Sequence, residues 1–390
     1  MYDPWYKSTF TYRALGSTLK IQIPHDVFST QRIDEGTLLL LDHLPKKKPL
    51  TVLDMGCGYG ALGLPIAAKF PNAKMEMVDR DLLASSWSQK NATENKLANV
   101  EAYGSLGFRD VKGERYDWIL CNVPARIGRP FIQNLMELGS SRLTPDGELR
   151  IVVITDLAPL LHELKTENRW SLEEIAVGPR HVVFSMQASE KTITAIEPRE
   201  LYFRDEVNVQ DLTLNRPFDI GGDDQKRLKT GLPVLIDTLP RRALQSDQRV
   251  FCFRSGYGQL PLLARKRWPE ATVIAVDRDL LGTTFLKLNA DRLGVSGPKL
   301  EVREAAHFPT AIADGETFDL ILGEFSPSAG EAVCVDELRT IEKHLRPGGE
   351  ALILCLEKLE KDWVRKYADK FKRLIPKVLT REGYTVIRIS

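Results

Sequence analysis

Residues 52–64 of the chain, VLDMGCGYGALGL, have the pattern of a short apolar strand, a glycine-rich turn and the start of a helix. The strand pattern ends at Asp54, and the turn contains Gly56, Gly58 and Gly60. Glycine lets a backbone pass close to a ligand because it carries no side chain. The stretch therefore predicts the first strand–loop–helix unit of a nucleotide-binding α/β fold.

The same pattern returns 198 residues later, as VFCFRSGYGQLPL in residues 250–262. Over residues 52–92, 16 of 41 positions are identical in the second copy, including VDRDLL at residues 78–83 and 276–281. Strand and helix patterns alternate in each copy, which predicts an α/β protein of two tandem Rossmann-like domains, each with a doubly wound, mostly parallel sheet. A linker-like segment near residues 190–205 predicts domains over residues 1–195 and 196–390.

The composition excludes several classes of protein. Lys and Arg total 54 and Asp and Glu 53, so the net charge is close to zero and gives no sign of a nucleic-acid-binding protein. A local basic patch is compatible with these counts. The sequence contains no transmembrane or signal-peptide pattern, and its five scattered cysteines lack the spacing of a metal site. We expect a cytoplasmic protein without a bound metal. The sequence does not determine the oligomeric state, and a monomer is compatible with it.

Acidic residues follow two predicted strands of the first copy. Ligands of doubly wound sheets bind beyond the carboxyl ends of the strands, where these acids would lie. Asp54 directly precedes the glycines, where a carboxylate would repel a pyrophosphate but accept hydrogen bonds from a ligand ammonium or a water. Asp79 ends the second strand and can accept both hydroxyls of a ribose.

This pattern resembles class I S-adenosylmethionine-dependent methyltransferases, in which D-x-G-C-G-x-G ends the first strand and an acid ends the second. The resemblance implies S-adenosylmethionine as cofactor, with Asp54 near its methionine part, Asp79 on the ribose and Ser105 near the adenine. A glycine-rich turn of another nucleotide-binding fold is the alternative. The predicted cofactor-binding residues are Asp54, Gly56, Cys57, Gly58, Gly60, Asp79, Arg80, Ser105 and Asn122.

The segment CNVPARIG, residues 121–128, follows another apolar strand pattern. It resembles the Asn-Pro-Pro-aromatic motif of methyltransferases that act on amines. The resemblance implies that the Asn122 side-chain oxygen and the Val123 carbonyl accept the N–H groups of an exocyclic amine, whose lone pair then faces the methyl group. Val123 and Ala125 replace the first proline and the aromatic residue of that motif. The predicted catalytic residues are Asn122, Val123 and Pro124; a structural turn at Asn122 is the alternative.

The upstream segment DVFSTQRIDEGTLLLLDHL, residues 26–44, resembles the "methyltransferase small" group, particularly the ribosomal RNA guanine-N2 methyltransferases C and G. The resemblance implies methylation of a guanine amine in ribosomal RNA, which makes RNA the expected partner. Phe28, Arg126 and Arg129 are the predicted substrate-binding residues, with Phe131 as another ring that could stack on a base. Helix capping by Asp34 is the alternative explanation of part of this segment.

The second copy lacks the residues that carry the predicted chemistry. Cys252 replaces Asp54, Arg254 replaces Gly56, and Glu324 replaces Asn122. We therefore expect the C-terminal domain to be structural or substrate-binding and not to bind the cofactor, although in the best-known members of the group the active copy is the C-terminal one. The alternatives for the whole chain are a small-molecule or protein methyltransferase and a non-catalytic, cofactor-binding protein associated with RNA.

Overall fold

The computed structural model describes residues 3–27, 33–189, 196–218, 226–371 and 373–390, which form two compact units. The first unit is Lys7–Arg204; the second is Asp205–Ser390 together with Met1–Tyr6. The unit boundary therefore follows residue 204, whereas the sequence placed it after residue 195. The difference has a packing reason, because the ring of Tyr202 lies 5.4 Å from that of Phe131 within the first unit.

The first unit opens with a hairpin and continues as an alternation of strands and helices. Its strands are β1 (Tyr6–Ala14), β2 (Ser17–Pro24), β3 (Thr51–Met55), β4 (Lys74–Asp79), β5 (Val100–Gly104), β6 (Tyr116–Asn122), β7 (Leu143–Ile154), β8 (Leu172–Val177) and β9 (His181–Gln187). Its helices are α1 (Glu35–Asp42), α2 (Gly63–Lys69), α3 (Leu82–Glu94), α4 (Arg129–Ser141), α5 (Ala158–Asn168) and α6 (Pro198–Tyr202), with a 3₁₀ turn at Thr155–Leu157.

Seven of these strands form one sheet in the order β5-β4-β3-β6-β7-β9-β8. Neighbouring strands are parallel from β5 to β7, whereas β9 runs antiparallel to both β7 and β8. The predicted doubly wound, mostly parallel sheet is therefore confirmed. Since parallel strands end at the same edge of a sheet, the residues that follow β3, β4, β5 and β6 meet there.

The second unit repeats this architecture. Its strands are β10 (Phe203–Val209), β11 (Leu212–Pro217), β12 (Arg249–Phe253), β13 (Thr272–Asp277), β14 (Leu300–Glu304), β15 (Phe318–Glu324), β16 (Leu345–Leu356), β17 (Leu374–Arg381) and β18 (Tyr384–Ile389). Its α-helices are α7 (Leu232–Thr238), α8 (Gln259–Arg267), α9 (Leu280–Arg292), α10 (Glu331–His344) and α11 (Glu357–Leu359). Shorter helical turns of the π and 3₁₀ types lie at Arg227–Gly231, Phe308–Ala311, Glu360–Val364 and Arg365–Lys370.

The strand order of the second sheet, β14-β13-β12-β15-β16-β18-β17, matches the first sheet strand for strand. The core between this sheet and its helices contains stacked rings, among them Phe251 and Phe318 with centroids 4.6 Å apart. Near the N-terminus, the buried indole of Trp5 stacks on His307, 5.7 Å between ring centroids, which accounts for the assignment of the first residues to this unit.

A buried asparagine connects three elements of the first unit. Asn91 of α3 donates to the carbonyl of Gln22 and accepts from the amide of the same residue, at 2.9 and 2.8 Å. Its amide nitrogen also donates to the carbonyl of Tyr59 in the glycine-rich loop, at 2.9 Å. Asn289 makes the equivalent contacts with Asn215 and Tyr257 in the second unit. One side chain in each unit thus joins the hairpin, the helix and the loop.

Replacing Asn91 by alanine should destabilise the first unit by roughly 2–4 kcal/mol, because three backbone groups lose their partner. Asn95 is the matched control, since it makes the same paired contacts with Lys20 where the chain is exposed. Asn95→Ala should cost less than about 1 kcal/mol. Calorimetric unfolding measures both losses, and equal losses would contradict the role assigned to Asn91.

Candidate active site

The loop between β3 and α2 leaves open space on one side. Gly56, Gly58 and Gly60 have positive φ angles of 80°, 57° and 100°, which glycine adopts without strain. A Cβ atom at Gly56 or Gly58 would meet no atom within 4 Å, whereas one at Gly60 would lie 2.4 Å from the side chain of Leu64. Gly60 is therefore needed for packing, and the other two glycines leave room for a ligand to approach the backbone.

Hydrogen bonds from β4 fix the shape of this loop. The amides of Gly56 and Cys57 donate to the carbonyl of Val78 at 2.8 and 3.0 Å. The amide of Gly58 donates to one carboxylate oxygen of Asp79 at 2.9 Å, and the amide of Asp81 donates to the other at 2.8 Å. The carboxylate that was predicted to bind a ribose therefore lies directly beside the glycine loop.

Asp54 is buried without a counter-charge. The residue is 1% exposed. Neither carboxylate oxygen has a hydrogen-bond partner of good geometry among the described residues. The amide of Gly63 nevertheless lies close enough to lower the pKa of Asp54 and so partly oppose the effect of burial on it. Burial, and secondly the charge of Asp79, raise the pKa of Asp54 to about 7. A buried carboxylate without a partner lowers the stability of the folded protein. A cationic ligand or an ordered water bound at this position would restore that stability.

Cys57 and Ser105 have buried side chains that bond within the protein. Burial raises the pKa of the Cys57 thiol well above its usual value, and the Ser88 hydroxyl lies 3.5 Å from its sulfur. The Ser105 hydroxyl donates to the carbonyl of Gly107 at 2.8 Å and accepts from the amide of Asp110. Their side chains therefore shape the loops around the predicted site, and direct contact of Ser105 with an adenine stays a prediction. Arg80 follows Asp79 and is half-buried.

Asn122, the last residue of β6, lies level with the start of the glycine loop, because Cys121 pairs with Met55 of β3. Its amide nitrogen donates to the carboxylate of Asp34 at 2.7 Å and to the hydroxyl of Thr37 at 3.0 Å. Asp34 is also the N-cap of α1. Helix capping was the alternative explanation that the sequence offered for this residue. The sequence analysis named Asp34 and Asn122 but did not connect them with each other or with Thr37.

The loop that follows Asn122 combines buried and exposed positions. Val123 is buried and donates its amide to Val152, whereas Pro124 and Arg126 are exposed. The guanidinium of Arg129 forms ion pairs with Glu163 and Glu167 of α5, which the sequence pattern could not reveal. The substrate contacts of Val123, Pro124, Arg126 and Arg129 stay predictions.

The two rings considered for stacking have different outcomes. Phe131 is buried against Tyr202, so its ring packs inside the first unit. Phe28 lies outside the described residues, and its predicted contact stays a prediction.

The second unit carries different side chains at the corresponding positions. Arg254 keeps a positive φ angle of 50° where Gly56 has 80°, and its guanidinium binds both carboxylate oxygens of Glu337 at 2.7 and 3.1 Å. Glu324, which ends β15 as Asn122 ends β6, pairs with Arg227 at 2.6 Å. The buried Cys252 replaces the buried acid. That this copy does not bind the cofactor stays a prediction.

Comparison with known proteins places the recognisable domain in the first unit. Residues 18–167 match the model of the methyltransferase small domain. Protein YbxB of Bacillus subtilis is 32% identical over 149 residues, which are 38% of this chain and 74% of that protein. The chain belongs to the methyltransferase small domain family. The predicted resemblance is thereby confirmed, and the first unit is a methyltransferase domain.

Other members of the methyltransferase small domain family are similar over a smaller share of their length. Ribosomal RNA small subunit methyltransferase C of Pasteurella multocida is 35% identical over 151 residues, 38% of this chain and 45% of that protein. Large subunit methyltransferase G of Shewanella oneidensis is 32% identical over 136 residues, 33% of this chain and 36% of that protein. The alignment thus spans less than half of these ribosomal RNA methyltransferases.

A solved structure shares the fold of the whole chain. It is the Thermus thermophilus 16S rRNA N2 G1207 methyltransferase (RsmC) in complex with AdoMet and guanosine, with a TM-score of 0.66 at 17% identity. The alignment covers 98% of this chain and 97% of that one. This likeness confirms the prediction of two tandem methyltransferase-like domains of the α/β class.

The residues of the first unit fit S-adenosylmethionine, the methyl donor of class I methyltransferase domains. The open space beside Gly56 and Gly58 admits a ligand, and Asp79 provides carboxylate oxygens at the loop. The unpartnered carboxylate of Asp54 suits a ligand that carries an ammonium and a sulfonium charge.

Two negative findings apply to the part of the chain that the structure describes. None of its helices has the length and apolar character that a membrane span requires. No group of three or more His, Cys, Asp or Glu side chains there is arranged as a metal site.

The pKa of Asp54 predicts how the stability of the ligand-free protein depends on pH. An acid whose pKa is raised from 3.8 to about 7 binds its proton more tightly in the folded state, so stability falls as pH rises between these values. Asp54→Asn removes the charge and should unfold roughly 2–8 °C above the unchanged protein at pH 8.5, with a smaller difference at pH 5.5. Calorimetric scans at both pH values measure the difference; a difference independent of pH would contradict the burial of a charged Asp54.

Proposed function

We propose that the first unit is an S-adenosylmethionine-dependent N-methyltransferase that methylates the exocyclic amine of a guanine in ribosomal RNA. The observation that carries the proposal is the position of Asn122, a neutral amide beside an open glycine loop. The methyltransferase small domain supports the reaction type, and the printed names of the relatives support RNA as the substrate.

The side chain of Asn122 suits an amine that must be held by its hydrogens. An exocyclic amine is a weak nucleophile because its lone pair is delocalised into the ring. With the Asn122 nitrogen bound to Asp34 and Thr37, its Oδ1 atom is the end of the amide that remains to accept an N–H group. A substrate N–H bonded to Oδ1 would be oriented with its lone pair toward the methyl group, and such orientation provides much of the rate acceleration.

The reaction itself is a direct displacement. S-Adenosylmethionine supplies an electrophilic methyl group on a sulfonium, which leaves as a neutral thioether. In such a displacement the new N–C bond would form as the S–C bond breaks, and the substrate nitrogen would lose one proton. The contribution of the protein is the placement of the amine by Asn122 and of the cofactor by the glycine loop.

RNA as the substrate rests on the relatives and on the surroundings of the loop. Arg126 is exposed immediately after the proposed amine site, where a guanidinium could contact a phosphate. Ala125 offers no ring for stacking on a base, which favours the second candidate, an amine in a small molecule or protein. A transfer assay across these substrate classes separates the two.

The intact protein should transfer a labelled methyl group from S-adenosylmethionine to RNA of undermethylated ribosomal subunits, with N2-methylguanine as the product nucleoside. Asn122→Ala should lower the rate at least about 100-fold, because the amine loses the acceptor that orients it. Arg126→Ala should weaken RNA binding without changing the methylated atom. Labelled nucleosides, proteins and metabolites are separated and counted.

The control for this assay is Arg109→Ala, which removes an exposed arginine whose guanidinium bonds to Asp110. It should leave transfer unchanged. Label that enters only the protein or metabolite fraction would overturn the RNA proposal and support the second candidate. Cofactor binding without transfer to any fraction would overturn the catalytic proposal.

A further inference from the structure

The amide of Asn122 is attached to the protein through its nitrogen alone among the described residues. The Nδ2 atom donates one hydrogen to the carboxylate of Asp34, at 2.7 Å, and the other to the Thr37 hydroxyl, at 3.0 Å. An ionised carboxylate only accepts hydrogen bonds. The nitrogen, and not the oxygen, must therefore face Asp34, and the planar amide directs Oδ1 away from it.

We propose that Asp34 and Thr37 are positioning residues that fix the orientation of the Asn122 amide and so present its oxygen to the methyl acceptor. This inference rests on the proposed function. The two ends of an asparagine amide have nearly the same size, and a rotation by 180° about the last side-chain bond exchanges them. A rotated Asn122 would direct N–H groups at the acceptor amine, which presents N–H groups itself.

The start of α1 fixes the carboxylate of Asp34 in turn. The same Oδ2 atom that binds Asn122 accepts the amides of Gly36 and Thr37 at 2.9 and 3.2 Å. A Cβ atom at Gly36 would lie 2.9 Å from this oxygen and 2.9 Å from the ring of His181, so a side chain at Gly36 would displace the carboxylate. The residue that caps α1 therefore also orients the Asn122 amide, which would bind the amine.

The negative charge of Asp34 also acts on the amide electronically. A charged acceptor polarises the N–H group that it binds, and the polarisation passes through the conjugated amide to its oxygen. Oδ1 of Asn122 becomes a stronger acceptor for the substrate. Asp34 thus orients the group that binds the amine and strengthens its bond, without touching the substrate.

The second unit lacks this arrangement at the equivalent strand end. Glu324 takes the place of Asn122 and forms an ion pair with Arg227 at 2.6 Å. The carboxylate of Glu324 has no donor end and no acceptor end to be distinguished, so no positioning residue is required there. The arrangement of Asp34, Thr37 and Asn122 thus belongs to the unit with the open glycine loop.

Substitutions at Thr37 test the inference without removing the helix cap. Thr37→Val keeps the shape and the backbone amide but removes the hydroxyl that accepts from Asn122. We expect kcat to fall about 10-fold while the dissociation constant of S-adenosylmethionine stays within about 2-fold. Thr37→Ser restores the hydroxyl and should recover most of the lost kcat.

Asp34→Ala removes both the cap and the contact with Asn122, and it should lower kcat about 100-fold. Its control is Asp279→Ala, which removes the N-cap of α9 in the second unit, where Asp279 accepts from the amide of Leu281 at 3.0 Å. The control should lose comparable thermal stability and keep its kcat. If it loses kcat equally, or if Thr37→Val keeps its full kcat, the positioning role is overturned.

A measurement without substrate separates this inference from the proposed function. In nitrogen-15 spectra of the protein, the side-chain amide signals of Asn122, assigned by their loss in Asn122→Asp, should be slow to exchange with solvent. Thr37→Val and Asp34→Ala should speed this exchange at least about 10-fold. Unchanged exchange would overturn the positioning role even in an active enzyme; protected signals in a protein inactive on every substrate would overturn the proposed function alone.

Discussion

The carboxylate of Asp79 and the amide of Asn91 together determine the shape of the glycine loop on which the site depends. Asp79 accepts the amide of Gly58, and Asn91 donates to the carbonyl of Tyr59 while it binds the hairpin through Gln22. Positive φ angles leave the amides and carbonyls of a loop pointing in alternating directions, so partners on several sides are needed to keep them fixed. These contacts hold the loop in the shape that leaves space beside Gly56 and Gly58.

The two units share one fold but carry different residues at the loop after the first sheet strand and at the corresponding strand ends. In the first unit a glycine leaves space, a buried carboxylate has no hydrogen-bond partner of good geometry among the described residues, and a neutral amide ends the fourth strand of the parallel run. In the second unit the guanidinium of Arg254 binds Glu337 and the thiol of Cys252 replaces the acid. The unpartnered carboxylate of Asp54 thus lies in the unit whose glycine loop leaves room for a ligand, as expected for a group that exchanges folding stability for binding.

Much of the fold followed from local pattern. The strand Thr51–Met55, which was predicted to end at Asp54, and the strand that ends at Asp79 were both predicted, because apolar periodicity and glycine turns are local signals. The contact of Asp34 with Asn122 joins residues 88 positions apart, and the ion pairs of Arg129 depend on how α4 packs against α5. No spacing in the sequence encodes such contacts. The repeated Asn91 and Asn289 were visible as an identity, but only the three-dimensional arrangement gives them a role.

The central claim is that the methyl donor binds the glycine loop of the first unit and not its counterpart in the second. Hydrogen–deuterium exchange of the intact protein, with and without saturating S-adenosylhomocysteine, tests it most directly. We expect slower exchange at the amides of residues 56–60 and 79–83, and unchanged exchange at residues 254–258 and 277–281. Protection at the second set, or at neither, would show that the donor does not bind the loop of the first unit alone.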